Sequence, residues 1–77
     1  IELSPRFSIV EITAPKAFQN KTIAESNIRA KYGINVVAIK RGEDLIISPL
    51  PSEKIIKDDI VVEVGKNESI NGLEALE

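Results

Sequence analysis

The chain is dominated by aliphatic side chains that branch at Cβ. Of its 24 Ile, Val and Leu residues, 13 are Ile and six are Val, so 19 carry the branch. Two heavy atoms on Cβ restrict χ1 and suit the pleated surface of a sheet better than the side of a helix. Only Phe7, Phe18 and Tyr32 bring aromatic bulk. A chain of 77 residues forms at most one domain, here with an aliphatic, sheet-based core. At this size only about 60% of the unfolded surface is buried. A second copy is a common remedy for so small a core, and a homodimer is expected. The absence of Met, even at position 1, and the strand-like opening Ile1-Glu2-Leu3 point to a piece of something longer.

Composition also removes whole classes of chemistry. There is no Cys, so disulfides and thiolate metal sites are impossible. There is no His, which removes the usual zinc sites and Ser-His or Cys-His catalysis. Ten Lys and Arg against twelve Asp and Glu give a net charge of −2. That balance lacks the basic stripe expected of a DNA- or RNA-binding domain. No apolar run approaches the ~18 residues of a membrane span, and no leader peptide is visible. The expectation is a soluble domain without nucleic-acid partners.

Phe7-Ser8-Ile9-Val10-Glu11-Ile12-Thr13 alternates at period two and predicts a strand, with Phe7, Ile9 and Glu11 on one face and Val10 and Ile12 on the other. Pro15 ends it, lacking an N–H for a ladder, and Phe18 then anchors a core edge. Thr22 with Glu25 three residues on forms a capping box that starts a helix. Gly33 sits where a left-handed residue would end it. Ala24, Ile28 and Tyr32 give that helix its buried stripe, with Ile23 off-centre and Asn27 marking a break or kink. Arg29 and Lys31 suit the negative end of its dipole.

Ile34 to Arg41 is apolar on both faces and predicts a central strand. Gly42-Glu43-Asp44 turns into a hairpin partner at Leu45–Ser48. Pro49 to Ser52 is a stiff loop, Lys54-Ile55-Ile56 a short apolar step, and Lys57-Asp58-Asp59 a turn. Ile60 to Gly65 is the last strand. A short helix from Glu68 to Leu76, capped by Asn67 or Ser69, follows it. The tail from Gly72 to Glu77 is bland enough for part of it to be foreign to the domain. The fold class is α+β: a small mixed or antiparallel sheet of four to five strands in β-α-β-β-β order, one main helix packed on it, and a short C-terminal helix.

Catalytic and metal motifs fail one by one. The glycines Gly33, Gly42, Gly65 and Gly72 are scattered, where a phosphate loop needs them clustered. Glu43-Asp44 and Asp58-Asp59 fall at turns where such residues are routine. Ser4, Ser8, Ser26, Ser48, Ser52 and Ser69 have no histidine to activate them. Neither a catalytic residue nor a metal or cofactor site is expected. Five residues near the helix-to-strand turn are left over: Ile23, Arg29, Ile34, Asn35 and Pro51. Two readings of them stand. In one, Arg29 is a solvated helix residue, Asn35 a turn former and Pro51 loop stiffening; in the other, the group is a binding surface.

The run Lys21-Thr22-Ile23, then Ile28-Arg29-Ala30-Lys31-Tyr32-Gly33-Ile34-Asn35-Val36-Val37-Ala38-Ile39-Lys40-Arg41-Gly42, resembles the C-terminal lobe of RCK proteins, the TrkA-C domain. The likeness continues through Pro51 to Asp58-Asp59-Ile60-Val61-Val62-Glu63-Val64-Gly65 and covers roughly residues 5–72 of the single domain 1–77. Asn20 and Asp58 stand where the family usually has Gly. Within the family, the chain is most similar to gating subunits of bacterial Ktr potassium-uptake systems, their A type in particular.

The resemblance implies a cytoplasmic regulatory lobe, not an enzyme, that pairs as a two-fold homodimer. It further implies a parent with an N-terminal Rossmann lobe, which is absent here. That parent would form an octameric ring on a membrane potassium-channel subunit. It also implies a ligand, the second messenger cyclic di-AMP, bound in the dimer cleft so as to inhibit potassium uptake. The positions matching that cleft are Ile23, Arg29, Ile34, Asn35 and Pro51. The alternative is a purely structural dimerisation lobe that binds no nucleotide, or binds another small effector.

Overall fold

In the computed structural model, which describes residues 1–76, two layers enclose one core. Four strands form the main sheet: β1 (Phe7–Thr13), β3 (Asn35–Arg41), β4 (Asp44–Ile47) and β6 (Ile60–Lys66). Their spatial order is β1-β6-β3-β4, every pair antiparallel, so the last strand lies between the first and the third. Two residues each from β2 (Lys21–Thr22) and β5 (Lys54–Ile55) make a second, smaller antiparallel sheet. The expected central place of the Ile34–Arg41 stretch and its hairpin with Leu45–Ser48 are both present. The second sheet was not expected, because two-residue strands carry no alternation to read.

Cross-strand pairing assigns the two faces. Val10 opposes Glu63, Ile12 opposes Val61, Val36 opposes Glu63, and Ile39 opposes both Val61 and Ile46. These residues look into the core. Ile9 opposes Val64, Glu11 opposes Val62, and Ala38 opposes Val62 and Ile47 on the other, open face. A bulge between Val36 and Ala38 is what sends two residues of equal parity to opposite faces.

The helical layer covers the core face. The expected single helix is two short ones, α1 (Ile23–Ser26) and α2 (Ile28–Tyr32), separated by Asn27 at φ +55°. The capping box at its start is present: Glu25 N–H donates to Thr22 Oγ1 at 3.0 Å, and Thr22 N–H to Glu25 Oε1 at 2.9 Å. These bonds from the Thr22 backbone and hydroxyl hold the Glu25 carboxyl below its ordinary pKa. Gly33, at φ +69°, ends α2 as expected, its N–H bonded to Arg29 O at 2.9 Å.

The break re-phases the buried stripe. Ile28 is buried and Tyr32 half-buried as expected, but Ala24 is exposed, and Ile23 and Ser26 take its place against the core. Ser26 is satisfied there by donating its hydroxyl to Ile23 O at 2.6 Å. Phe18 is buried and meets Tyr32 edge-on, ring centroids 6.1 Å apart.

The terminal helix α3 (Asn67–Glu74) begins after Lys66, not at a capping Asn67 or Ser69. Asn67 is drawn away from capping: its Oδ1 accepts from Ser8 Oγ at 2.7 Å and its Nδ2 donates to Pro5 O at 3.3 Å. Ile70 and Leu73 anchor α3 in the core. Gly72 and Leu73 of the expected tail therefore lie in this helix, while Glu77 lies outside the described residues.

Candidate functional site

A cavity of about 530 Å³ opens beside the broken helix, lined by Ile23, Ala24, Asn27, Ile28, Arg29, Ala30 and Pro51. It exists because two segments distant in sequence are tied together. Ala24 N–H donates to Pro51 O at 3.0 Å, and Ile23 N–H to Glu53 O at 2.9 Å. The N–H groups that open any helix lack intrahelical partners, and here the loop's carbonyls accept two of them. Pro51 is thereby fixed against α1.

Asn27 completes the shape. Its left-handed backbone turns α2 away from α1, and the small side chains of Ala24 and Ala30 leave the floor open. Ala24, Asn27 and Ala30 were not anticipated as lining residues. Asn27 did carry a signal, since Asn is among the few non-glycine residues that tolerate φ > 0. The alanines carried none.

Of the five candidate residues, three meet here: Ile23, Arg29 and Pro51. Arg29 is exposed and forms no ion pair among the described residues. It is an uncommitted cation beside apolar walls. Asn35 is exposed at the start of β3 but does not line this cavity. Ile34 is fully enclosed in the core, so closely that a Cβ on Gly65 would stand 3.1 Å from its Cγ1. Its side chain is buried within this chain and does not line the cavity.

The loop that carries Pro51 is braced from below. Arg41, the last residue of β3, donates through Nε and Nη2 to the two oxygens of Asp59, at 2.9 and 2.8 Å. It also reaches Glu53 Oε2 at 3.4 Å and Lys54 O at 2.8 Å. Asp59 further accepts from Ile56 N–H at 2.9 Å. Burial alone would raise the Asp59 pKa; the bonds from Arg41 and Ile56 outweigh it and hold the carboxyl below its ordinary value. The same pairing raises that of Arg41.

Glu63, in mid-sheet, is a residue the sequence reading passed over. It has no exposure, and neither carboxylate oxygen has a hydrogen-bond partner among the described residues. Among the described residues no three His, Cys, Asp or Glu gather as a metal-binding group, and no helix is long and apolar enough to cross a membrane.

The arrangement can hold a ligand that is flat and apolar in part and anionic in part. Ktr system potassium uptake protein C of Bacillus subtilis (strain 168) is 46% identical over 74 residues, which is 96% of this chain and 34% of that protein. The chain thus spans about a third of that curated relative. The solved RCK C domain of potassium transport protein KtrA in complex with cyclic di-AMP superposes with a TM-score of 0.84 at 40% identity, over 90% of this chain and 81% of that one. The RCK_C domain dimer of Streptococcus agalactiae BusR in complex with cyclic di-AMP gives 0.80 at 25% identity, over 90% and 93%. The TrkA-C domain family matches residues 7–76, and the chain belongs to that family.

Proposed function

We propose that this chain is the ligand-sensing lobe of a potassium-uptake gating protein, and that it binds cyclic di-AMP across a two-fold homodimer. The observation that carries the reading is the uncommitted Arg29 cation set among Ile23, Ile28 and Pro51. Relatives at 40% and 25% identity have been solved with this ligand bound.

Cyclic di-AMP has two phosphodiesters and two adenines related by two-fold symmetry, so a two-fold cleft uses each residue twice. Arg29 of each protomer would meet one phosphate through charge-assisted hydrogen bonds. Ile23 and Pro51 would cover the adenine faces, at roughly 25 cal/mol per Å² of apolar surface buried before ordering costs. Asn35 would add polar contacts at the rim. A further apolar surface lies on the open sheet face, on the far side of the sheet from the helical layer, where Phe7, Leu45 and Ile47 are exposed beside Ile9, Val62 and Val64. Asn35 lies on that same face.

A ligand that bridges two lobes stabilises the arrangement it bridges and so biases the gate. In the parent protein the lobe would work at the cytoplasmic side of a membrane potassium channel, within an octameric ring, and the ligand would inhibit uptake.

Calorimetry of the chain with cyclic di-AMP tests the reading. The expected result is one ligand per two chains, with affinity at least tenfold lower for Arg29→Ala, since a hydrogen bond to a charged group contributes about 1.5–3 kcal/mol. A dimeric chain that gives no heat with the ligand would overturn it and leave a dimerisation lobe that is purely structural or answers to a different small effector.

A further inference from the structure

Glu63 lies on the central strand β6 with its side chain toward the helical layer, in line with the buried Val61 and Gly65. Its cross-strand neighbours on that face are Val10 of β1 and Val36 of β3, both apolar. The helix α3 packs against β6 and β1, anchored by Ile70 and Leu73 and ending in Glu74. Ser8 of β1 does not serve Glu63, because its hydroxyl is given to Asn67. Tyr32 of α2 packs against the same core and gives Glu63 no hydrogen bond either. Among the described residues no cation acts on it, and the charge that does is the carboxylate of Glu74. A carboxylate can occupy such a place in its neutral form; a bare anion there is far costlier than a buried neutral group.

We propose that Glu63 is a proton-operated latch on α3: while its carboxyl is neutral α3 closes over the sheet, and ionisation releases α3 so that water reaches the anion. The helix is the element that yields. Both edges of β6 are hydrogen-bonded to neighbouring strands, so the strand stays put. In contrast, α3 has no side-chain cap at its start. It also places Glu74 in its last turn, where a negative charge opposes the helix dipole.

Burial first, and the Glu74 charge second, push the Glu63 pKa from 4.5 to about 7. A folded-state value above the unfolded one means the contribution to stability is complete below about pH 4.5 and disappears as pH rises through about 7. The displacement caps the change in the α3 opening equilibrium at roughly 300-fold.

Amide hydrogen exchange of α3, corrected for the intrinsic effect of pH, reads the latch directly between pH 5 and 8. In the native chain, protection of Ile70 to Glu74 is expected to fall across this range, and the melting temperature with it. Glu63→Gln and Glu63→Val should both flatten the dependence, and Glu63→Val should also melt higher than the native chain at pH 8. Glu74→Gln should move the midpoint to lower pH. An undiminished pH dependence in both Glu63 variants would overturn the proposal. So would a Glu63 side-chain carbon signal that titrates below pH 5. Neither outcome depends on whether the chain binds a nucleotide.

Discussion

Asp59 is almost completely withdrawn from water, yet it stays ionised because Arg41 grips both its oxygens and Ile56 N–H adds a third bond. Its pKa lies below the ordinary 3.8, so its contribution to stability is present above that value and is lost as pH falls further. Glu63 has the opposite sign, losing its contribution as pH rises through about 7. Taken together, the two place the stability maximum on the acid side of neutrality, and melting temperatures measured from pH 2 to 8 should peak between pH 4 and 6. Removing one partner of a buried pair costs 3–5 kcal/mol; Arg41 keeps some contact with water, so we expect Asp59→Ala to cost about 3 kcal/mol in urea unfolding. The sequence could not separate Asp58 from Asp59. Both read as turn residues, and Asp58, at φ +72°, is one. The partner that makes Asp59 an anchor is 18 positions away, beyond the reach of any local pattern. Glu63 was missed for a related reason: alternation puts it in line with Val61, but a lone acid in a strand gives no hint that nothing will pair with it.

At the scale of elements, everything decided within a few residues was legible. The Thr22–Glu25 box, the Gly33 terminus, the β1 alternation and the Gly42 hairpin all follow from local chemistry, and all are present. What local chemistry could not supply was the consequence of Asn27. A left-handed residue in mid-helix shifts the phase of everything before it, so Ala24 leaves the core and becomes a wall of the cavity. Replacing Asn27 tests this reading. Asn27→Gly should stay within a few tenths of a kcal/mol of the native chain, because glycine adopts φ > 0 freely. Asn27→Ala should cost about 1–2 kcal/mol, the penalty of a Cβ in the left-handed region, as read from thermal or urea melts. The two variants should also differ in ligand affinity, the alanine being weaker, because only the glycine keeps the break that shapes the cavity. The cap of α3 was misread because Asn67 has a better use, bridging Ser8 and the Pro5 carbonyl at the far end of the chain.

For the molecule as a whole, the open sheet face is the feature that a 77-residue monomer explains least. Apolar residues cover much of it from Phe7 to Ile47, interrupted by the Lys40–Glu11 ion pair at 2.8 Å and by the polar Asn35 and Lys66. If a second copy covers it, the melting temperature should rise with protein concentration. Ile47→Lys should abolish that dependence and give a monomer in sedimentation, at little cost to the fold because Ile47 is 65% exposed. The candidate site was legible only through the family resemblance: no periodicity connects Ile23 and Arg29 to Pro51, which the chain brings over by backbone hydrogen bonds alone. Ile34 was matched by the same route, and its side chain lies in the core of this chain. The strand order has a consequence in time. Phe7 pairs with Lys66, and β1 touches no other strand of the main sheet. During synthesis, the β3–β4 hairpin can form early, while β1, paired on its outer edge with the Ile1–Leu3 segment, keeps its inner edge bare until β6 emerges. Loop closure over such a separation is slow compared with hairpin formation. A ribosome stalled before residue 60 would therefore hold a chain whose β1 still lacks its main-sheet partner, and chaperones would meet this domain through β1.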